Sequence, residues 1–112
     1  MNERELLEYA AKANNDPKIY KDIGEFYRII GRNEDMGCDV LAIWNPLADD
    51  GDCARLEAAL EISVLWNETM VQARAGSIRS LLVFVEEFRE HGGDKNRARR
   101  CVSVRVAARI LS

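Results

Sequence analysis

The sequence contains few of the residues from which metal sites and disulfide frameworks are built. Among its 112 residues there is one histidine, His91, and there are three cysteines without a Cys-x-x-Cys spacing. Structural zinc ligands normally come in closely spaced pairs, so a zinc site would require all four side chains to converge from remote segments. We therefore interpret Cys38, Cys53 and Cys101 as free buried thiols in a reducing compartment, and we expect no metal and no other cofactor.

Motifs of common enzyme classes are absent as well. The sequence has neither a glycine-rich phosphate loop nor a nucleophile elbow, and its histidine is not placed with a nucleophile. Glu86, Glu87 and Glu90 lie close to His91 and could in principle perform acid–base chemistry, but such a run is usually exposed surface. We therefore predict a protein that is not an enzyme.

The chain also lacks an apolar run of the length that a transmembrane helix requires, about 20 residues. Residues 1–10 have the pattern of a charged helix and not that of a signal peptide. We expect a cytoplasmic protein without a membrane partner. Apolar residues make up 47% and charged residues 31% of the sequence, which is typical of a globular protein, and the length predicts a single domain, residues 1–112.

Only two prolines occur, and one of them marks the central feature of the chain. The apolar run Val40–Trp44 ends at Asn45-Pro46, and because proline cannot donate to a strand ladder, the pattern predicts a strand that stops there. Asp49 or Asp50 can then cap a helix that runs to about Leu60. The carboxylates of this acidic turn could instead hold a divalent cation, but they lack the spacing of a calcium loop, and we favour capping.

Apolar periodicity predicts the remaining elements. Residues 24–30 and 77–89 each fit a helix as well as a strand, and their aromatic and β-branched residues favour strands. The predicted elements are a helix at 2–13, strands within 18–32 and at 40–44, the central helix, strands within 62–75 and 81–90, and a helix at 95–111 that Asp94 caps. The predicted fold class is α+β, approximately α-β-β-α-β-β-α, with helices on a mostly antiparallel sheet.

The segment Trp44–Asp52 reads WNPLADDGD and is followed by Arg55-Leu56. It resembles a WNPLxDDGD element of small phage- and prophage-encoded proteins of unknown function. The similarity extends over most of the chain, from the N-terminal Glu-Leu-Leu helix to Gly92-Gly93-Asp94 and the Arg/Ala-rich last helix, and it departs in the turn at 33–38. The resemblance implies a phage or prophage origin, a location in the bacterial host cell and the α+β fold described above. It implies no catalytic residue.

Charge is unevenly distributed along the chain. The net charge is −3, but residues 1–53 contain 12 acids and 6 bases, whereas residues 54–112 contain 7 acids and 10 bases. Together with the phage resemblance, this polarity favours a non-enzymatic accessory protein that binds a host protein, as an inhibitor of an antiviral defence system would. We expect Glu34, Asp35 and Asp39 to contribute to this binding, since they could imitate a phosphate backbone in a basic groove.

The basic C-terminal helix supports an alternative from another class, a nucleic-acid-binding regulator. Residues 95–109 carry six bases and no acid, and Lys95, Arg97, Arg99 and Arg100 could contact phosphates. These bases do not form a single stripe on a helix, and the isoelectric point near 5.2 is low for a nucleic-acid-binding protein. We prefer a helix whose bases pair with the acidic half of the chain. A homo-oligomer is the third hypothesis.

Overall fold

Three α-helices and six β-strands follow in the order α-β-β-β-α-β-β-β-α in the computed structural model, which describes residues 1–77 and 80–111. The helices are α1 (Glu3–Asn14), α2 (Asp50–Leu60) and α3 (Lys95–Leu111). The strands are β1 (Ile19–Asp22), β2 (Glu25–Asn33), β3 (Cys38–Ile43), β4 (Ser63–Trp66), β5 (Met70–Ser77) and β6 (Ser80–Glu87), and a 3-10 helix (Phe88–His91) precedes α3. No helix in the described ranges is long and apolar enough to cross a membrane. The predicted α+β class is confirmed.

Each of the three described helices follows a residue whose side chain caps it, and two of these caps, Asp49 and Asp94, are predicted from the sequence. Asn2 Oδ1 accepts a hydrogen bond from the backbone N–H of Glu5 at 2.8 Å, and Asp94 Oδ1 accepts one from that of Arg97 at 3.0 Å. Asp49 Oδ1 accepts one from the third residue of α2 at 2.9 Å, so Asp49 is the cap of the central helix. Each cap satisfies an N–H group that has no partner within its helix.

The first sheet is antiparallel, with the strand order β1-β2-β3. A two-residue turn at Ile23-Gly24 joins β1 to β2, and both residues have positive φ angles, 49° and 79°, as tight hairpin turns require. Residues 24–30 therefore belong to a turn and a strand, and the alternative helix is wrong. Strand β2 pairs with β3 from Tyr27 opposite Ile43 to Asn33 opposite Cys38, with a bulge between Ile29 and Gly31.

The second sheet is also antiparallel, with the strand order β4-β5-β6. Asn67 closes the turn between β4 and β5, because its Oδ1 accepts hydrogen bonds from the N–H groups of Thr69 at 2.8 Å and Met70 at 2.9 Å. The strand predicted within residues 81–90 is confirmed as β6, which pairs with β5 along its whole length. Ile78 and Arg79, which the alternative helix included, lie outside the described residues.

The strands form two separate three-stranded sheets, whereas the approximate prediction had one sheet with two strands on each side of α2. The extra strands arise because residues 18–32 and 62–75 each fold back on themselves as a hairpin. Both sheets consist of consecutive strands joined by short turns, which is the simplest connection. Pro46 ends β3, and the chain then passes through α2 before β4 begins.

Helix α3 lies at the centre of the fold and contacts α1, α2, β5 and β6. Its buried positions carry small side chains, which allow neighbours to approach closely on several sides: Ala98, Val102, Ser103, Val104, Val106, Ala107 and Ala108. Ala98, Val102 and Ala108 thus belong to the core, whereas Cys101 is only partly buried. Ile110 is 40% exposed because it lies in the last turn, beyond the packed stretch.

A buried carboxylate joins α2 to α3. Glu57 Oε2 accepts hydrogen bonds from Ser103 Oγ at 2.6 Å and from Arg99 Nε at 3.1 Å, and Arg99 Nη2 contacts the other carboxylate oxygen. The thiol of Cys53 lies 3.7 Å from the same carboxylate. Burial raises the pKa of this thiol to about 12. Cys53 is therefore a buried free thiol as predicted. Cys38 is exposed, contrary to the prediction, because it begins β3 beside the tip of the hairpin.

The carboxylates of the acidic turn all have partners within the fold. Asp49 caps α2, and Asp50 Oδ1 accepts a hydrogen bond from Arg100 Nη1 at 2.7 Å. The side chain of Asp52 is buried, and its Oδ2 accepts a hydrogen bond from the backbone N–H of Asn45 at 2.9 Å. The capping interpretation is confirmed. These contacts also fix the path of the chain from β3 into α2.

Candidate protein-binding surface

One face of the first sheet carries apolar side chains that water can reach. Alternation along the strands places Phe26 and Trp44 on the opposite face, where Trp44 is only 2% exposed and the two rings meet edge to face at 5.9 Å. The sheet is therefore held to the core through that inner side. We call the other side the outer face and define it by five residues. These are Tyr20, Tyr27, Ile29, Leu41 and Ile43.

The side chains of the outer face are cross-strand neighbours. Tyr20 pairs with Tyr27 and Tyr27 pairs with Ile43, so one row crosses all three strands, and Ile29 pairs with Leu41 in the next row. The two tyrosine rings lie 6.1 Å apart. Ile43 remains 63% exposed and Leu41 43% exposed. Scattered apolar residues are normal on a surface, but a contiguous group of them indicates an interaction site.

Strand β3 adds a backbone edge beside the outer face. In the part of the chain that the structure describes, β3 pairs with β2 on one side only. Its other edge presents backbone N–H and C=O groups, which can pair with an extended segment of another protein. Natural edge strands are often protected by charged residues or proline, but Asp39 is the only charged residue in β3. This edge could therefore extend a protein contact that begins at the outer face.

The acids that we expect to bind a partner lie at the tip of the β2–β3 hairpin. Glu34 and Asp35 are exposed in the turn, where Asn33 Oδ1 accepts a hydrogen bond from the N–H of Asp35 at 3.1 Å. Asp39 lies on β3, and its Oδ1 is 3.6 Å from Arg32 Nη1, with both side chains about half exposed. The structure thus brings all three acids to one end of the first sheet, next to the outer face.

Among the bases in the strands of the first sheet, Arg32 pairs with Asp39, and the other two are held by carboxylates elsewhere. Lys21 contacts a carboxylate of α1 at 3.1 Å, and Arg28 lies 3.8 Å from the buried Asp52. At the end opposite the hairpin tip, Asp22 and Glu25 pair across the β1–β2 hairpin and are exposed. Carboxylates therefore border the outer face at both ends. This arrangement favours a partner whose apolar surface is bordered by lysine and arginine.

The four bases of the alternative hypothesis do not form one free surface on α3. Arg99 binds a buried carboxylate of α2, and Arg100 Nη1 donates to Asp50 at 2.7 Å, whereas Lys95 and Arg97 are exposed. The pairing of this helix with the acidic half of the chain is confirmed for Arg100. Phosphate binding by Arg99 or Arg100 would require these ion pairs to break.

The outer face was not identified from the sequence, although a signal for it exists. The run Val40–Trp44 is apolar at every position, which is typical of a strand covered on both faces. In a chain with too few helices to cover both faces of its strands, such a run indicates that one apolar face stays exposed or meets a partner. Leu41 and Ile43 are the residues that this signal would have found.

Comparison of the chain with models of protein families, with curated proteins and with solved structures found no match.

Proposed function

We propose that the chain is a non-enzymatic binding protein that recognises another protein through the outer face. The observation that supports this is the row of Tyr20, Tyr27 and Ile43, with Leu41 beside it, on a surface that water can reach. Burying such a contiguous apolar surface against a partner is favourable because it removes apolar area from water. We expect the partner to present an apolar patch bordered by lysine and arginine.

The resemblance to phage and prophage proteins suggests the class of partner. We propose that it is a protein of the bacterial host, and that binding inhibits an antiviral defence system. Glu34, Asp35 and Asp39 would occupy a basic groove that otherwise holds nucleic-acid phosphates. The outer face would supply the apolar centre of the interface and the acids its polar rim. Because a stable interface buries about 800 Å² on each partner, we expect the contact to include the edge of β3 as well.

The test is affinity capture from a bacterial lysate, divided into a nuclease-treated and an untreated half, with the wild-type chain and an Ile43→Lys variant. Because Ile43 is exposed, the lysine should leave the fold intact. The matched control is Leu65→Lys, which makes the same kind of change at another exposed aliphatic residue, on the second sheet. We expect one protein to be captured by the wild type and by Leu65→Lys in both halves, and to be lost with Ile43→Lys.

Three results would count against this proposal. Capture that is unchanged by Ile43→Lys would show that the outer face is not the binding site. Capture that disappears after nuclease treatment would favour nucleic-acid binding by the basic helix. The third result would come from light scattering. If the wild-type chain is a dimer and Ile43→Lys is a monomer, the outer face binds a second copy of the chain and not a host protein.

Charge reversal tests the acidic rim separately from the apolar centre. We expect the triple variant Glu34→Lys, Asp35→Lys and Asp39→Lys to slow association about tenfold or more at low salt, and to have much less effect at high salt. The control variant reverses three exposed acids of the second half: Glu61, Glu68 and Glu90. An association rate that both triple variants lower equally would refute a specific role for the hairpin tip.

A further inference from the structure

Three side chains of the kinds that bind metals meet where β6, the 3-10 helix and α3 come together. Glu86 lies near the end of β6, opposite the buried Val71, while His91 ends the 3-10 helix and Cys101 lies in the second turn of α3. Cys101 Sγ is 3.1 Å from Glu86 Oε1, and His91 Nε2 is 3.7 Å from Glu86 Oε2. One ligand atom from each residue lies within 4.8 Å of the other two. Glu86 is only 9% exposed, so the interpretation of the acidic run as exposed surface is wrong for Glu86, whereas Glu90 is exposed.

His91 supplies the observation that points to a ligand. Its Nε2 atom is buried and has no hydrogen-bond partner among the residues that the structure describes, and the side chain as a whole is 13% exposed. The 3.7 Å separation from Glu86 Oε2 is too long for a hydrogen bond. Buried polar atoms are nearly always satisfied, so an imidazole nitrogen without a partner beside a carboxylate and a thiol requires an explanation. A cation bound by all three groups provides one.

We propose that Glu86, His91 and Cys101 bind a Zn²⁺ ion. Thiolate, imidazole and carboxylate are the ligands that zinc prefers, and three protein ligands leave a fourth position for water. With a Zn–S bond of about 2.3 Å and Zn–N and Zn–O bonds of about 2.0 Å, tetrahedral coordination places the ligand atoms about 3.3–3.6 Å apart. His91 Nε2 and Glu86 Oε2, at 3.7 Å, lie slightly farther apart than this, and Cys101 Sγ is 3.1 Å from the other oxygen of the same carboxylate. Rotation of the Cys101 and His91 side chains towards Oε2 would complete the site.

Arg105 determines which carboxylate oxygen is left for the ion. Its Nη1 donates to Glu86 Oε1 at 2.9 Å, and its guanidinium lies 4.6 Å from the centroid of the Phe84 ring. Oε2, on the side of His91, is therefore the oxygen that binds zinc. Ligand carboxylates are commonly oriented by a second hydrogen-bonding partner in this way. When the ion binds, Cys101 releases its thiol proton to solvent, and the thiolate and carboxylate together balance the charge of Zn²⁺.

The bound ion would fasten the last helix to the second sheet. Its ligands come from three consecutive elements, and the connection between them contains Gly92 and Gly93, both with positive φ angles. Because binding restrains these elements only in the folded chain, it stabilises the folded state. The site is remote in sequence from the outer face, and the role that we propose for the ion is to stabilise the fold.

The test uses the full chain, stripped of metal with a chelator and titrated first with Co²⁺ and then with Zn²⁺. We expect one Co²⁺ per chain, a sulfur-to-cobalt charge-transfer band in the near ultraviolet and the strong visible bands of four-coordinate cobalt. Zn²⁺ should abolish these bands and should raise the Tm of the chain. Absence of the cobalt bands from the wild-type chain would overturn the proposal.

Single-residue variants test each ligand, with Cys38→Ser as the matched control for a cysteine outside the site. Cys101→Ser should lose the sulfur-to-cobalt band, whereas His91→Gln should keep it. Each of these two substitutions should weaken Zn²⁺ binding about tenfold or more in titration calorimetry. Cys38→Ser should bind Zn²⁺ as the wild type does. Circular dichroism shows which variants are folded. Equal Zn²⁺ affinities for the wild type and either folded ligand variant would overturn the proposal.

Discussion

Replacing Glu57 with alanine would remove the carboxylate that joins α2 to α3. Two groups of α3 would lose their partner, the hydroxyl of Ser103 and the guanidinium of Arg99. Ser103 is 0% exposed, so water cannot replace the lost acceptor, whereas the side chain of Arg99 is 23% exposed and can be partly rehydrated. The variant should therefore fold with a substantially lower free energy of unfolding.

The expected loss in the free energy of unfolding follows from the exposures of Ser103 and Arg99. A buried hydroxyl without a partner costs about 1–3 kcal/mol. Removing one member of a buried ion pair costs about 3–5 kcal/mol, but the partial exposure of Arg99 lowers this to about 1–2 kcal/mol. We expect Glu57→Ala to lose about 3 kcal/mol in total, which is a large share of the 5–15 kcal/mol that stabilises a typical domain. Glu57→Gln keeps the shape and one acceptor and should lose less.

Urea unfolding followed by circular dichroism measures this difference. The control is Glu68→Ala in the exposed turn after β4, which should change the free energy of unfolding by about 0.5 kcal/mol or less. Replacing Glu57 and Arg99 together with methionine should restore much of the stability, because neither charge is then left alone in the interior. Equal urea midpoints for Glu57→Ala and Glu68→Ala would refute the buried ion pair.

Three further predictions concern the helix cap Asp49, the reactivity of the three cysteines and the charge of Glu86. Asp49→Ala should lower the free energy of unfolding by about 1 kcal/mol and Asp49→Asn by much less, as urea unfolding would show; an unchanged midpoint in the alanine variant would contradict capping. In the metal-free chain, iodoacetamide should modify the exposed Cys38 about tenfold or more faster than Cys53 or Cys101, because burial raises the pKa of both of these thiols to about 12 and the thiolate is the reactive form. Peptide mass spectrometry measures the three rates, and equal rates would contradict the described burial. Burial alone would raise the pKa of Glu86, but hydrogen bonds from a thiol and a guanidinium of α3 hold that pKa below its ordinary value. In the metal-free chain, the stability that Glu86 contributes is therefore present above the ordinary pKa of a glutamate, about 4.3, and is lost as the pH falls through the lower folded pKa. Glu86→Gln should flatten the decline in urea midpoint below about pH 4.3, and a wild-type slope would refute this.

The helices could be predicted from the sequence because the signals that begin and end them are local. Asn2, Asp49 and Asp94 each cap a helix through a backbone N–H only three residues ahead. The strands were also recognised from their composition, but their number was not. The turn at Ile23-Gly24 divides residues 19–33 into two strands. It could not be predicted because a β-branched residue such as Ile23 rarely has a positive φ angle.

The polar contacts of the interior could not be predicted, because they join residues that are far apart in the sequence. Glu57 and Arg99 are 42 positions apart, and Glu86 and Cys101 are 15 apart. The acids around His91 have the composition of an exposed turn. Glu86 becomes buried because strand alternation directs it to the same side as Val71, under α3, and that register is a property of the folded sheet.

The binding function of the outer face is tested most directly by the affinity of the captured protein for the wild-type chain and for Ile43→Lys. Titration calorimetry with Leu65→Lys as the control makes this measurement. We predict that Ile43→Lys binds at least about tenfold more weakly, which corresponds to about 1.4 kcal/mol, because the lysine places a charge without a partner in the apolar centre of the interface. Leu65→Lys should bind as the wild type does. Equal affinities for the wild type and a folded Ile43→Lys variant would contradict the proposed binding function of the outer face.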